Sequence, residues 1–295
     1  MSAAVIQMQQ LTKSYGRSRG IVDVNLTVQQ GDVFGFIGPN GAGKSTTIRT
    51  LLGLISPTSG SAQVLGKTCG EQNREILREV GYMPPDAMFY SDMRVSELLH
   101  LSAKLRGKDC RRQAKLLCER LDVDVKKRVE TLSTGNRRKV SIVCALQHEP
   151  PLYILDEPTS GLDPLMQKEF FSLLEERNRQ GATIFLSSHI LSEIQRHCRH
   201  AAIIREGRLL ACDTVEALAA TTARRVHVQG IQQAPALAGV RDVDMQRNAV
   251  SFVYQGDMQA LIAALHACAI TDVTIAEPDL EETFMHFYAQ GGGEQ

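Results

Sequence analysis

The sequence predicts an α/β protein in which a parallel sheet is covered by helices, followed by a smaller α+β unit. Three observations lead there. Strand-like and helix-like segments alternate over residues 1–218, from about residue 3 onward, the pattern of a helix-covered parallel sheet. Residues 84–150 interrupt that alternation with helical patterns and no convincing strand, and read as a helical insertion. Beyond about residue 220 short strands return, so residues 219–290 read as a separate small domain and Gly291-Gly292-Gly293-Glu294-Gln295 as a flexible tail.

Taken in order, residues 5–11 and 21–28 alternate apolar and polar side chains, as half-exposed strands do. Residues 32–37 form a short apolar run ending in glycine-rich sequence, and a helical pattern covers 44–54. Ala114, Leu117, Cys118 and Leu121 fall on one face of a helix over 109–121. Residues 152–155 and 183–187 read as buried strands with a polar helix between them. Residues 201–205 and 209–211 flank Glu206-Gly207-Arg208, a turn in which glycine permits positive φ. In the last unit 225–229, 240–245 and 249–255 read as strands, the latter two as a hairpin turning at 246–248. A helix over 257–267, a strand near 273–276 and a helix over 280–288 complete it.

Lysine plus arginine and aspartate plus glutamate number 33 each, so the basic excess usual in nucleic-acid binders is missing and no nucleic acid is expected. The clusters Arg111-Arg112, Lys126-Lys127-Arg128 and Arg137-Arg138-Lys139 read as solvated helix ends and loops. Seven scattered cysteines, none spaced Cys-x-x-Cys, suit a reducing compartment where thiols pack as small hydrophobes. His197-Cys198-Arg199-His200 matches no common zinc spacing and reads as structural, with Cys198 packed at a helix end. No signal segment stands at the start, and no run approaches the roughly 18 consecutive apolar residues of a membrane span. The expectation is a soluble, cytoplasmic chain that reaches a membrane only by docking.

Gly38-Pro39-Asn40-Gly41-Ala42-Gly43-Lys44-Ser45, with Thr46 following, fits G-x-x-x-x-G-K-[ST]. A triphosphate needs backbone N–H groups converging on its oxygens. Gly38, Gly41 and Gly43 allow so tight a turn, and the helix that starts there points its positive end at the phosphates. Lys44 is placed to reach the β- and γ-phosphates of ATP and the Ser45 hydroxyl to ligate Mg²⁺. Leu152-Tyr153-Ile154-Leu155-Asp156-Glu157 is an apolar strand ending in two carboxylates. Asp156 suits Mg²⁺ held through water, and Glu157 suits a general base for the attacking water. Alone, the two acids would read equally well as solvent-facing loop residues.

Leu132-Ser133-Thr134-Gly135-Asn136-Arg137-Arg138-Lys139 resembles the signature motif of ABC ATPases, and Ser160-Gly161-Leu162-Asp163 resembles their D-loop. Leu186-Ser187-Ser188-His189 looks like the switch-histidine segment, and Tyr15 matches the aromatic residue that stacks on adenine. Five motifs in the family's order cover residues 3–218. The fold this resemblance implies is a P-loop NTPase of ABC type, with an N-terminal antiparallel β region and a helical insertion, plus the small C-terminal α+β domain. Ser133 and Gly135 would open a helix near 136–147 and form a second anion site. The resemblance implies that this site faces ATP held by a second ATPase subunit, a homodimer being favoured over a heterodimer, and that His189 contacts the γ-phosphate.

One departure concerns Val80-Gly81-Tyr82-Met83-Pro84-Pro85-Asp86. Most of the family has glutamine at the Pro85 position, contacting Mg²⁺ and sensing the membrane partner. Asp86 either substitutes through a water, or leaves a loop that couples without metal contact, or is a turn residue favoured after proline. Thr134 and Asn136 also replace the commoner glycine and glutamine. The ending Pro278-Asp279-Leu280-Glu281-Glu282-Thr283-Phe284 is similar to that of ATPase subunits of ABC-2-type exporters, although acids in a first helical turn are favoured anyway. The resemblance implies an ATPase subunit serving a transmembrane permease on a separate chain, peripheral on the inner face of the cell membrane. The alternatives are a soluble ABC ATPase acting on ribosome or DNA, and a non-hydrolysing module, which would be expected to lack Lys44 or Glu157.

Overall fold

The computed structural model describes residues 3–276 except 17, 87, 220–222, 247, 267 and 269. The chain divides into two compact units, the first ending at Thr214 and the second beginning at Val215. In the first, β1 (Ala4–Tyr15) and β2 (Ser18–Gln29) pair antiparallel, and Ile6, Met8, Leu11, Val24, Leu26 and Val28 turn inward. After β3 (Val33–Ile37) and α1 (Lys44–Leu51), β4 (Ser59–Val64) and the short β5 (Lys67–Thr68) return to β1, giving the order β2-β1-β4-β5. Sequence periodicity does not announce β4, because only Ala62 and Val64 of that strand are buried. Helix α1 stops at Leu51 rather than residue 54, since Gly53 turns left-handed at φ 64°.

Helix α2 (Asn73–Glu79) leads into β6 (Val80–Met83). Then come α3 (Val95–Arg106), α4 (Arg111–Arg120), a 3₁₀ turn at Val129–Thr131 and α5 (Thr134–Leu146). Among the described residues from 84 to 150 the only β pairing is the isolated bridge Arg94–Arg128. Glu97 caps α3 by accepting from the Arg94 N–H at 2.8 Å, and Gly107 ends the helix left-handed at φ 68°.

The remaining elements of this unit are β7 (Leu152–Asp156), α6 (Pro164–Arg179), β8 (Thr183–Ser188), α7 (Leu191–His197), β9 (His200–Arg205) and β10 (Arg208–Thr214). They join β3 and β6 in a sheet of order β10-β9-β3-β8-β7-β6, parallel except for the β9–β10 pair. Strands β7 and β8 are buried along their whole length, which is why they read as continuous runs rather than alternating ones. The Arg120 guanidinium ties α4 to α6 through Glu169 at 2.6 Å and Glu176 at 2.7 Å. A Cβ on Gly35 would sit 2.5 Å from Ile194 Cγ2 and 3.3 Å from Cys198 Sγ, so α7 lies directly on the β3 backbone.

Cys198 is thus a packing residue at the end of α7, while His197 stacks on Phe171 at 3.6 Å and His200 Nδ1 meets Asp32 Oδ2 at 2.8 Å. Among the described residues no group of three or more His, Cys, Asp or Glu side chains is placed to hold a metal ion, and no helix is long and apolar enough to cross a membrane. The register pairs Ile37 with Ser188, Asp156 with Ser187 and Met83 with Leu155. Whatever follows β3, β6, β7 and β8 therefore gathers at one edge of the sheet.

In the second unit α8 (Val215–Ala219) precedes β11 (Ala223–Gln229), β12 (Val240–Gln246), β13 (Ala249–Gln255), α9 (Met258–His266) and β14 (Asp272–Ala276). The sheet is antiparallel in the order β12-β13-β11-β14. Val226, Val228, Val250, Phe252 and Tyr254 form its core with Leu261 and Leu265 of α9. The expected helix over 280–288 and the tail at 291–295 lie outside the described residues.

Candidate active site

The loop after β3 is held by its own turn and from two neighbouring segments. Gly38 N–H donates to Ser188 O at 3.4 Å, Ala42 N–H donates to Pro39 O at 3.1 Å, and Gly207 N–H donates to Ala42 O at 2.9 Å. Gly43 caps α1 at φ 110°, and a Cβ there would lie 2.8 Å from Ile21 Cγ2. Both the backbone conformation and the β2 strand therefore demand glycine. The first intrahelical bond is Thr47 N–H to Gly43 O at 2.9 Å, and the N–H groups ahead of it have no helical acceptor and suit an anion. Pro39, Asn40 and Gly41 are exposed, Ala42 is buried, and Ser45 and Thr46 are half-buried.

Lys44 is only 4% exposed. Its Nζ donates to Gly38 O at 2.6 Å and Pro39 O at 3.1 Å and pairs with Glu157 Oε1 at 3.1 Å. The other oxygen of the same carboxylate, Oε2, lies 3.2 Å from His189 Nδ1. The three residues proposed for catalysis thus meet at the strand ends. Glu157 itself adopts φ 47°, a left-handed conformation that costs a side-chain-bearing residue about 1–2 kcal/mol. Its N–H donates to Ser187 O at 3.2 Å and to Ser187 Oγ at 3.1 Å. That hydroxyl in turn donates to Asp156 Oδ1 at 2.5 Å, while Asp156 Oδ2 is buried with no protein partner among the described residues. Ser188 Oγ accepts from the Ile190 N–H at 2.9 Å and donates to Glu193 at 2.8 Å, fixing the turn that carries His189.

One residue of this site escapes sequence reasoning and corrects it. Arg138, read with its neighbours as a solvated cation, is 4% exposed. Its Nη1 donates to Pro84 O at 2.7 Å and Pro85 O at 2.6 Å, and its Nε to Pro158 O at 3.3 Å. Nη2 donates to Asp156 O at 3.4 Å and to Glu157 O. Helical phase was the available signal: Arg138 lies four and seven residues before the fully buried Ile142 and Ala145, on one face of α5.

Residues 21–160 match the sequence profile of the family described as ABC transporter. The chain is 36% identical to the bacitracin transport ATP-binding protein BcrA of Bacillus licheniformis, over 99% of both chains. The chain belongs to the ABC transporter ATP-binding protein family. It is also 32% identical to the Nod factor export ATP-binding protein I of Cupriavidus metallidurans, over 96% of each chain. A solved ATP binding subunit of an ABC transporter superposes with a TM-score of 0.69 at 32% identity, covering 72% of this chain and 91% of that one. As a member of this family the chain is an ATP-binding, ATP-hydrolysing subunit of an ABC transporter.

In this ABC ATPase subunit the signature segment sits where α5 begins. Ser133 is the exposed N-cap, its Oγ accepting from the Asn136 N–H at 3.3 Å. Gly135 faces the D-loop, with Gly161 O 3.5 Å from where its Cβ would be. Asp163 caps α6 by accepting from the Met166 N–H at 3.0 Å. Tyr15, 45% exposed, closes β1 with Lys13 Nζ 5.3 Å from its ring centre. Among the described hydrogen bonds and ion pairs none carries Tyr15, Ser133, Gly135 or the exposed Asp86 into the Lys44–Glu157–His189 group. Asp156 Oδ2, buried and without a protein partner among the described residues, and the half-buried Ser45 hydroxyl are oxygen donors of the kind that a hard cation such as Mg²⁺ takes.

Proposed function

We propose that Lys44, Glu157 and His189 carry the hydrolytic step, and that the subunit drives export through a membrane permease on a separate chain. The supporting observation is the single Glu157 carboxylate that meets both Lys44 and His189. With ATP in the loop 38–46, the Lys44 ammonium leaves Glu157 for the β- and γ-phosphates. Glu157 then accepts a proton from the water whose oxygen bonds to the γ-phosphorus. The bond from that phosphorus to the β–γ bridging oxygen breaks, releasing ADP and phosphate. His189 donates to the γ-phosphate and holds it in line. Tyr15 stacks on the adenine. Mg²⁺ held by Ser45 and, through water, Asp156 would neutralise phosphate charge. For the loop after β6 we favour coupling without a metal contact from Asp86.

The exposed cap Ser133 and the half-buried Gly135 beside it suit the γ-phosphate of ATP bound by a second, identical subunit, so two sites form when two copies close head to tail. A relative named for bacitracin transport and another named for Nod factor export support the exporting direction. The subunit then sits peripherally on the inner face of the cell membrane through its permease. The test is Glu157→Gln in the full chain: turnover falls at least about 100-fold while ATP is still bound. Wild-type turnover in that variant would remove Glu157 as the base.

A further inference from the structure

A guanidinium carries five N–H groups in one plane. In Arg138 all five point at main-chain carbonyls, and those carbonyls come from two separate segments. Pro84 and Pro85 supply two of them; Asp156, Glu157 and Pro158 supply three. The ladder between β6 and β7 explains why an arginine is needed. Its last paired residues are Met83 and Leu155. Beyond Met83 come two prolines, which have no N–H to continue the pairing. The ladder therefore stops at the two strand ends, and the Arg138 fork bridges their carbonyls, of which Glu157 O also accepts from the Ser160 N–H at 3.3 Å. No carboxylate takes part directly, although Asp86, Asp156 and Glu157 all favour the charged form of a group that burial disfavours.

The same fork closes the support around Glu157. Ser187 holds the Glu157 N–H, and Arg138 holds the Glu157 carbonyl. A residue at φ 47° is thereby fixed on both sides, and its carboxylate is aimed at Lys44 and His189.

We infer that Arg138 is a positioning residue that fastens the Pro84–Pro85 loop to the Asp156–Pro158 segment, so that displacement of that loop turns the Glu157 carboxylate. This rests on the reading of Glu157 as the base. It assigns the link between the loop and the base to a protein group, in a chain whose Pro85 offers no side-chain ligand to a metal.

The test uses the full chain with Arg138→Lys, which keeps the charge but not the planar fork, and Arg138→Gln. Both lower kcat about 100-fold, while the dissociation constant for ATP stays within about threefold of wild type. Adding Arg138→Lys to Glu157→Gln lowers the residual rate no further, because the group being positioned is already lost. Wild-type kcat in Arg138→Lys overturns the inference, as does a loss of ATP affinity in proportion to the loss of rate. Additive losses in the double variant overturn the claim that Arg138 acts through Glu157. Full turnover in Glu157→Gln alone overturns the base assignment and that claim with it.

Discussion

Lys44 and Glu157 hold each other at 3.1 Å, and the same ammonium also donates to the carbonyls of Gly38 and Pro39. The lysine proposed to reach the phosphates is therefore parked on the loop it belongs to and on the proposed base. Charge-assisted hydrogen bonds contribute about 1.5–3 kcal/mol each. Lys44→Ala is expected to weaken ATP binding about 10- to 100-fold. Glu157→Gln, which releases the ammonium from its carboxylate, is expected to bind ATP at least as tightly as wild type. Equilibrium titration with a fluorescent ATP analogue checks both; unaltered affinity in Lys44→Ala would place that side chain away from the phosphates.

Ser187 serves two neighbours with one hydroxyl, donating to Asp156 Oδ1 and accepting from the Glu157 N–H. Ser187→Ala strips a buried carboxylate of its donor. Leaving such a group unsatisfied costs about 1–3 kcal/mol. Denaturant melts should show that loss, together with a lower kcat. A melt indistinguishable from wild type would mean that water replaces the hydroxyl at no cost.

Gly35 admits α7 against β3, and any Cβ there meets Ile194 at 2.5 Å. Gly35→Ala is expected to destabilise the first unit by about 1–3 kcal/mol through overpacking. Ile194→Ala in the same chain should recover part of that loss, because it removes the side chain that the new methyl strikes. If the double variant is the less stable by the full sum of two single losses, the clash lies elsewhere.

His148 is buried and accepts from the Arg106 Nε–H at 3.1 Å. Burial first, and then the Arg106 charge, push its pKa from 6.5 down to about 3. The folded value lies below the unfolded one, so the unfolded chain takes up the extra proton. Stability from this group is complete above about pH 6.5 and falls as the pH drops towards 3, by up to about 1.4 kcal/mol per pH unit. His148→Gln keeps an acceptor for Arg106 and should flatten the acid limb of a stability–pH curve between pH 6.5 and 4. An unchanged limb would mean that the folded protein protonates His148 as readily as the unfolded chain.

Much of the fold is legible in the sequence because β7 and β8 are buried on both faces and appear as unbroken apolar runs. β4 is not, since Ala62 and Val64 are too few to set a period. Lys44, Glu157 and His189 are legible from motif order, and their meeting at one carboxylate follows from the parallel register. Arg138 is the opposite case. A cation in a run of three cations reads as solvated by composition, and only its phase relative to Ile142 and Ala145 turns it inward. Its five carbonyl partners come from segments about 20 and 50 residues away, which no local pattern contains.

At position 157 the backbone favours glycine or asparagine, and the proposed chemistry requires a carboxylate. The side-chain bonds from Ser187 and Arg138 to its main chain help to reconcile the two, and both can open without any strand leaving its sheet. Heat should therefore silence the enzyme before it melts it. Turnover is expected to decline reversibly several degrees below the midpoint of unfolding, with far-ultraviolet dichroism unchanged over that interval. The working temperature of this subunit would then be set by one tense peptide rather than by the strength of its core.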